Sequence, residues 1–158
     1  MRVLFVCLGN ICRSPTAEGV FRRQLEAQGL DQRVDVDSCG IASWHEGKAP
    51  DSRSQEAAAR RGIDLSSLRA RQLKGDDFHA FDYLLAMDHD NLRAMREQAP
   101  EGLEAHMGLF LEFAGHPNVA VPDPYYGGED GFEEVLDLIE RAADGLLEDI
   151  VARLESRP

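Results

Sequence analysis

The segment that most constrains this chain is Cys7-Leu8-Gly9-Asn10-Ile11-Cys12-Arg13-Ser14, set between an apolar run, Val3-Leu4-Phe5-Val6, and the segment Pro15-Thr16-Ala17-Glu18. A continuous apolar run of that kind suits a strand buried on both faces of a parallel sheet. The segment therefore reads as strand, loop and helix start. A loop placed there can surround a tetrahedral anion with backbone N–H groups, and the helix N-terminus adds positive potential. Cys7 and Arg13 bracket it. One supplies a thiol nucleophile and the other a planar fork matched to two phosphate oxygens. The field beside Arg13 and the helix end favours the thiolate over the thiol. Ser14 is read both as the helix cap and as a hydrogen-bond donor to that thiolate. Gly9 is read as giving the loop backbone freedom, and Asn10 as tolerating a left-handed backbone. The pattern points to binding a phosphate and attacking its phosphorus.

The remaining chain alternates strand and helix signals. A helix is expected from Pro15 to Gln28, with Ala17, Val20, Phe21 and Leu25 on its apolar face and Gly29 as its stop. Val34 to Ser38 alternates as a second strand. Cys39 to Pro50 is a loop carrying Trp44. Asp51 or Ser52 caps a short helix to Arg61, and Phe78 to Phe81 ends another. Tyr83 to Met87 is a third strand, followed by a helix over 90–98. Met107 to Phe113 reads as a fourth strand and 118–128 as loop. A long helix runs from Asp130, its stripe made of Phe132, Val135, Leu136, Ile139, Ala143, Leu146, Leu147, Ile150 and Leu154. This order implies an α/β sandwich around a parallel sheet, with the site past the carboxyl ends of the strands.

Several function classes are disfavoured. The formal net charge of −12 should repel nucleic acid and anionic membrane. The pairs Arg22-Arg23 and Arg60-Arg61 read as solvated helix faces rather than a basic stripe. No apolar stretch approaches the roughly 18 residues of a membrane span, and the start reads as a first strand rather than a signal peptide. Three cysteines imply no disulfide framework, and the five histidines are scattered without ligand spacing, so neither metal nor cofactor is expected. A reducing cytoplasm suits such a thiol. The chain's 158 residues read as one domain, 1–158.

Phosphate transfer to Cys7 also needs an acid to protonate the departing oxygen. The best candidate is Asp123 in Val121-Pro122-Asp123-Pro124-Tyr125-Tyr126, where flanking prolines stiffen the loop and the tyrosines could wall an aromatic group.

Taken together, the N-terminal Cys-to-Pro motif, Trp44, Pro50-Asp51-x-Arg53, Ala70-Arg71-Gln72, Met87-Asp88-x-x-Asn91 and Asp123-Pro124-Tyr125-Tyr126-Gly127 resemble the low-molecular-weight protein tyrosine phosphatases, in order along essentially the whole chain. The resemblance implies a three-layer sandwich, a four-stranded parallel sheet in order 2-1-3-4 with helices on both faces. It implies catalysis by Cys7, Arg13 and Asp123 through a phosphocysteine. It assigns substrate binding to Leu8, Gly9, Asn10, Ile11, Cys12, Ser14, Trp44, Tyr125 and Tyr126. Cys12 resembles the family's second cysteine, which can form a reversible disulfide with the nucleophile. The implied partner is a phosphotyrosine-containing protein, with phosphate or vanadate as inhibitors and a monomer or weak self-association in solution. Ile11 resembles the tyrosine-directed members, whereas relatives acting on phosphoarginine carry Thr. Leu68 stands where other members carry a His that joins a network with the residues matching Asn10 and Ser38.

Other functions on this fold stay open at the level of sequence. A thiol-linked arsenate reductase would need resolving cysteines after the third strand, and none follows Cys39. A phosphocysteine carrier would not need Arg13 together with Asp123, and a non-catalytic phosphate-binding module would tolerate loss of Cys7.

Overall fold

A computed structural model of the chain describes residues 1–116, 119–122 and 129–156. Four strands, β1 (Arg2–Cys7), β2 (Asp35–Gly40), β3 (Tyr83–Ala86) and β4 (His106–Leu109), form a parallel sheet in the order β2-β1-β3-β4. Between and after them lie α1 (Arg13–Ala27), α2 (Ser52–Ala59), α3 (Asp77–Ala80), α4 (His89–Gln98) and α5 (Glu129–Ser156). The expected sheet order and three-layer sandwich are both present.

The apolar run in β1 explains the layering. Side chains alternate across a strand, so Val3 and Phe5 join one core with α1 and α5, while Leu4 and Val6 join a second with Phe78, Phe81, Leu92 and Met95. Phe5 is fully buried, with the rings of Phe21 and Phe110 at 6.0 and 4.8 Å. Burial of one such side chain contributes about 1.5–3 kcal/mol. The α5 stripe behaves as core from Phe132 to Ile150, while Leu147 and Leu154 are only partly buried against it.

Helix ends follow local chemistry. Gly29 takes φ +69° after α1, Leu30 N–H donates to Leu25 C=O at 2.8 Å and Gly29 N–H to Glu26 C=O at 3.1 Å, which satisfies carbonyls the helix leaves over. Asp51 caps α2 by accepting from Arg53 N–H at 2.8 Å.

Three expectations are corrected. The run 107–113 is not one strand: β4 ends at Leu109, and Phe110–Ala114 forms a 3-10 helix. β3 offers pairing only as far as Ala86, so the chain turns and buries Phe110 and Leu111 in the core shared with α5. Ser14 does not cap α1: the helix begins at Arg13 after Cys12, and no side chain caps it. Finally, the arginine pairs are not merely solvated. Arg61 bridges to Glu133, Asp137 and Glu140 of α5 at 2.7, 2.9 and 3.2 Å, and Arg22 donates to Glu18 at 2.6 Å and to the Val36 carbonyl at 2.8 Å.

Among the described residues no helix is long and apolar enough to cross a membrane.

Candidate active site

The switch in strand order falls at β1, whose neighbours β2 and β3 are reached in opposite directions along the sheet. A crevice at the carboxyl end of β1 is therefore where a ligand site is expected. The Cys7 loop occupies that end. Its carbonyls are drawn into surrounding backbone: those of Cys7, Leu8 and Ile11 accept from Ile41, Ala42 and Asp51 N–H at 2.9, 2.9 and 2.7 Å, and that of Cys12 accepts from the Thr16 hydroxyl at 2.6 Å. With its carbonyls so engaged, the loop is held by β2's downstream segment on one side and by the start of α2 on the other.

Cys7 Sγ is buried and has two hydrogen-bond partners. Ser14 Oγ lies 2.9 Å away and Asn10 N–H donates at 3.3 Å. Asn10 carries φ +59°, the left-handed conformation expected of it. Its side chain closes the loop on itself: Nδ2 donates to Ser14 Oγ at 2.8 Å and to Ser38 Oγ at 3.0 Å, and Oδ1 accepts from Arg71 N–H at 3.0 Å. Gly9 has a different reason from the one expected. It is not among the positive-φ residues; a Cβ there would meet the His45 ring at 2.8 Å. Any larger side chain there would have to displace the His45 ring.

Arg13 is buried at the loop's far end. Nη1 donates to Asp88 Oδ2 at 2.8 Å and to the Val121 carbonyl at 3.0 Å. Val121 N–H in turn donates to Met87 C=O at 2.7 Å, which ties the approach to the 123–126 segment to the end of β3. Trp44 is 69 % exposed and Leu8 41 % exposed, both large apolar side chains left at the surface near the loop. His45, next to Trp44, reaches Gly9 as noted. Cys12 is buried and reduced, as is Cys39, whose thiol burial pushes well above its ordinary range. Asp123, Tyr125 and Tyr126 lie outside the described residues. The structure thus brings together Cys7 through Ser14, and places Trp44 on the adjoining loop.

Several residues around the site were given no role in it by the sequence. Gly40 pairs with Cys7 across β1 and β2, and a Cβ there would sit 2.9 Å from Gly9 C and Leu8 O and 3.0 Å from Asn10 N. Backbone cannot swing aside as a side chain can, so glycine is needed for the close approach. A lone glycine ending an alternating strand was the available signal. Asp88, which fixes Arg13, also accepts from Asn91 N–H at 2.7 Å and so caps α4. The sequence reading started this helix at residue 90 and assigned Asp88 neither the cap nor the contact with Arg13. Arg71 supplies the N–H that orients Asn10, while its guanidinium is fastened to Asp37 and Asp77 at 3.0 Å each. Leu68 is partly buried on the core and contributes no polar atom; Glu18, 4 % exposed, accepts the Ser38 hydroxyl at 2.8 Å instead. Burial pushes the Glu18 carboxyl above its ordinary range, against the pull of the Ser38 hydroxyl and Arg22. No group of three or more His, Cys, Asp or Glu side chains among the described residues is arranged to hold a metal ion.

A thiol at a strand end, an anion-sized loop and a buried arginine opening a helix lie together here, the arrangement expected of an anion-binding site. Comparison with known proteins agrees. Residues 2–156 match the family model described as low molecular weight phosphotyrosine protein phosphatase. The low molecular weight phosphotyrosine protein phosphatase of Schizosaccharomyces pombe is 52 % identical over 135 residues, 84 % of this chain and 85 % of that one. The low molecular weight protein-tyrosine-phosphatase of Streptomyces coelicolor is 45 % identical over 161 residues, 99 % of this chain and 97 % of its own. A crystal structure of a protein tyrosine phosphatase from Entamoeba histolytica, with Hepes in its active site, superposes with a TM-score of 0.91 at 39 % identity, covering 96 % of this chain and 97 % of that one. The chain belongs to the low-molecular-weight phosphotyrosine protein phosphatases.

Proposed function

We propose that this protein tyrosine phosphatase hydrolyses phosphotyrosine in a protein substrate by a two-step, metal-independent route within one domain spanning 1–158. In the first step the Cys7 thiolate attacks phosphorus. The bond from phosphorus to the tyrosyl oxygen breaks, its electron pair passes to that oxygen, and the Asp123 carboxyl supplies the proton. In the second step a water gives its proton to the Asp123 carboxylate and attacks the phosphocysteine; the S–P bond breaks and Cys7 leaves as a thiolate. Arg13 and the loop amides from Leu8 to Arg13 hold the three equatorial oxygens throughout. Trp44, Tyr125 and Tyr126 grip the substrate ring, and Ile11 favours an aromatic phosphoester over phosphoarginine.

The observation that carries this reading is the pair of donors on Cys7 Sγ, Ser14 Oγ at 2.9 Å and Asn10 N–H at 3.3 Å. They stabilise the same charged sulfur as attacking group and as leaving group. The burial of Arg13 against Asp88 supports it by presetting the anion clamp. A cytoplasmic location, where a nucleophilic thiol stays unoxidised, and a monomeric or weakly associating state belong to the same proposal. The test is hydrolysis of an aryl phosphate in EDTA by wild type, Cys7→Ser and Asp123→Ala, with vanadate as competitor. Fast turnover by wild type alone, unaffected by EDTA and blocked by vanadate, is expected. A stable phosphocysteine without turnover would replace the enzyme with a carrier.

A further inference from the structure

Among the described residues three large apolar side chains stand exposed: Leu8 at 41 %, Trp44 at 69 % and Val119 at 47 %. Single exposed apolar side chains are ordinary on a protein surface. These three are not scattered. Leu8 follows the carboxyl end of β1, Trp44 lies on the segment after β2, and Val119 on the segment after β4 and its 3-10 helix. The carboxyl ends of parallel strands share one edge of the sheet, the edge that carries the Cys7 loop. Backbone hydrogen bonds hold both outer segments to that edge. Ala42 N–H donates to Leu8 C=O at 2.9 Å on the Trp44 side. On the other side Val119 N–H donates to His116 C=O at 3.3 Å. Two residues on, Val121 N–H donates to Met87 C=O at 2.7 Å, and the Val121 carbonyl accepts from Arg13 Nη1 at 3.0 Å. A chain extends at most about 3.6 Å per residue, so Val119 Cα lies within roughly 7 Å of Val121 Cα. Val121 turns its side chain into the core, whereas Val119 leaves its own at the surface.

A phosphate held by Arg13 and the loop amides leaves the tyrosine ring pointing outward. The length of the ring then sets the substrate backbone at the mouth of the site, and the residues flanking the phosphotyrosine meet the rim. Trp44 serves the ring; Val119 has no part in gripping it and is left for what flanks it. Resting on the reading of this chain as a phosphotyrosine phosphatase, we propose that Val119 is a specificity-determining residue: it contacts an apolar side chain within two residues of the phosphotyrosine in a protein substrate. Docking removes both apolar surfaces from water, which favours such a neighbour over glycine. An acidic neighbour loses twice, since it gains nothing from valine and meets the repulsion of a chain with a formal net charge of −12. The contact exists only with a peptide bound, so a small aryl phosphate does not register it.

The experiment compares wild type, Val119→Ser and Val119→Lys on phosphotyrosine peptides of one host sequence, with Leu, Gly or Asp placed singly at the two positions before and the two after the phosphotyrosine. Each kcat/KM is divided by that of the same protein on phenyl phosphate, so a general loss of activity cancels. Wild type should favour Leu over Gly by about three- to tenfold at one or more of the four positions, the size of one part-buried apolar contact. Val119→Ser should lose most of that preference. Val119→Lys should lose it too and should raise Asp over Gly at the same position by about two- to fivefold, because a cation now faces the neighbour. That gain cannot come from a merely structural role, and two independent variants cover the failure of either one to fold. Wild type indifferent to its flanks, a Leu preference that survives Val119→Ser, or peptide and phenyl phosphate rates falling together with the ratios unchanged would each overturn the assignment. So would a change in sedimentation with unchanged ratios, which would give this side chain to a second copy of the chain. Absence of phenyl phosphate turnover in wild type would instead sink the phosphatase reading on which the proposal rests.

Discussion

Asp88 serves two masters 3 residues and 75 residues away: Oδ1 caps helix α4 at Asn91 N–H, 2.7 Å distant, and Oδ2 holds the Arg13 guanidinium at 2.8 Å. One carboxylate thus sets both the start of a helix and the direction of the anion clamp. Asp88→Asn keeps a cap oxygen but gives up the charge on Arg13, so it should lower kcat/KM for an aryl phosphate by about ten- to a hundredfold through misplacement of the clamp. Asp88→Ala should add a stability loss of about 1 kcal/mol from the missing cap. Steady-state kinetics with thermal melts separates the two; equal kinetics for Asp88→Asn and wild type would show that Arg13 is held well enough by the Val121 carbonyl.

The role assigned to Asp123 predicts a dependence on leaving group. Asp123→Asn should reduce kcat by about 10²- to 10⁴-fold on phenyl phosphate, whose phenolate needs a proton, and much less on an ester of an acidic phenol. Wild-type activity should peak on the acid side of neutral, because Asp123 must be protonated while Cys7 is ionised. A rate profile still rising above pH 8 would contradict it.

Acid stability should report on Asp51. Burial pushes its carboxyl up, but hydrogen bonds from the Arg53 side chain and backbone outweigh burial and hold it below the ordinary range. A carboxylate depressed in the folded state contributes stability that is fully present above its unfolded value, about 3.9, and is lost as pH falls through the lower folded value. Asp51→Asn keeps the α2 cap but has no ionisation to lose. The melting-temperature advantage of wild type over Asp51→Asn should therefore be constant near neutral pH and shrink below about pH 4. A gap that widens on acidification would have the wrong sign.

At Gly40 the added methyl of Gly40→Ala would meet loop backbone at 2.9 Å. The loop must shift, with a stability cost of about 1–3 kcal/mol for overpacking. Vanadate affinity should fall more steeply than the melting temperature suggests, because the displaced atoms belong to Leu8, Gly9 and Asn10. Vanadate titration of the folded variant checks this; unchanged affinity would show the loop adapts.

Peroxide should oxidise the Cys7 thiolate to a sulfenic acid, releasing water, and the Cys12 thiol can then condense with it to a disulfide, releasing a second water. Dithiothreitol should restore wild-type activity after such treatment and fail to restore Cys12→Ser, whose Cys7 proceeds to sulfinic acid. Equal recovery of both would remove the protective role from Cys12.

What the sequence determined by itself was whatever is encoded by neighbours along the chain. Val3 to Val6 marks a strand buried on both faces because no polar residue interrupts it, and Gly29 marks a helix end because only a positive φ closes it. The spacing of Cys7, Asn10, Arg13 and Ser14 makes one anion loop because all four lie within two turns of chain, and the sheet order followed from the family resemblance. The tertiary structure alone decided what depends on distant segments meeting. It set the length of β4, since pairing stops where β3 stops and Phe110 and Leu111 gain more by burial under α5. It took the cap role from Ser14 while keeping its expected contact with Cys7, and it set the His45 ring beside Gly9. Asp88, Gly40 and Arg71 were given no role in the site for one physical reason: each meets the loop from 30 or more residues away, and no local pattern names the segment it meets.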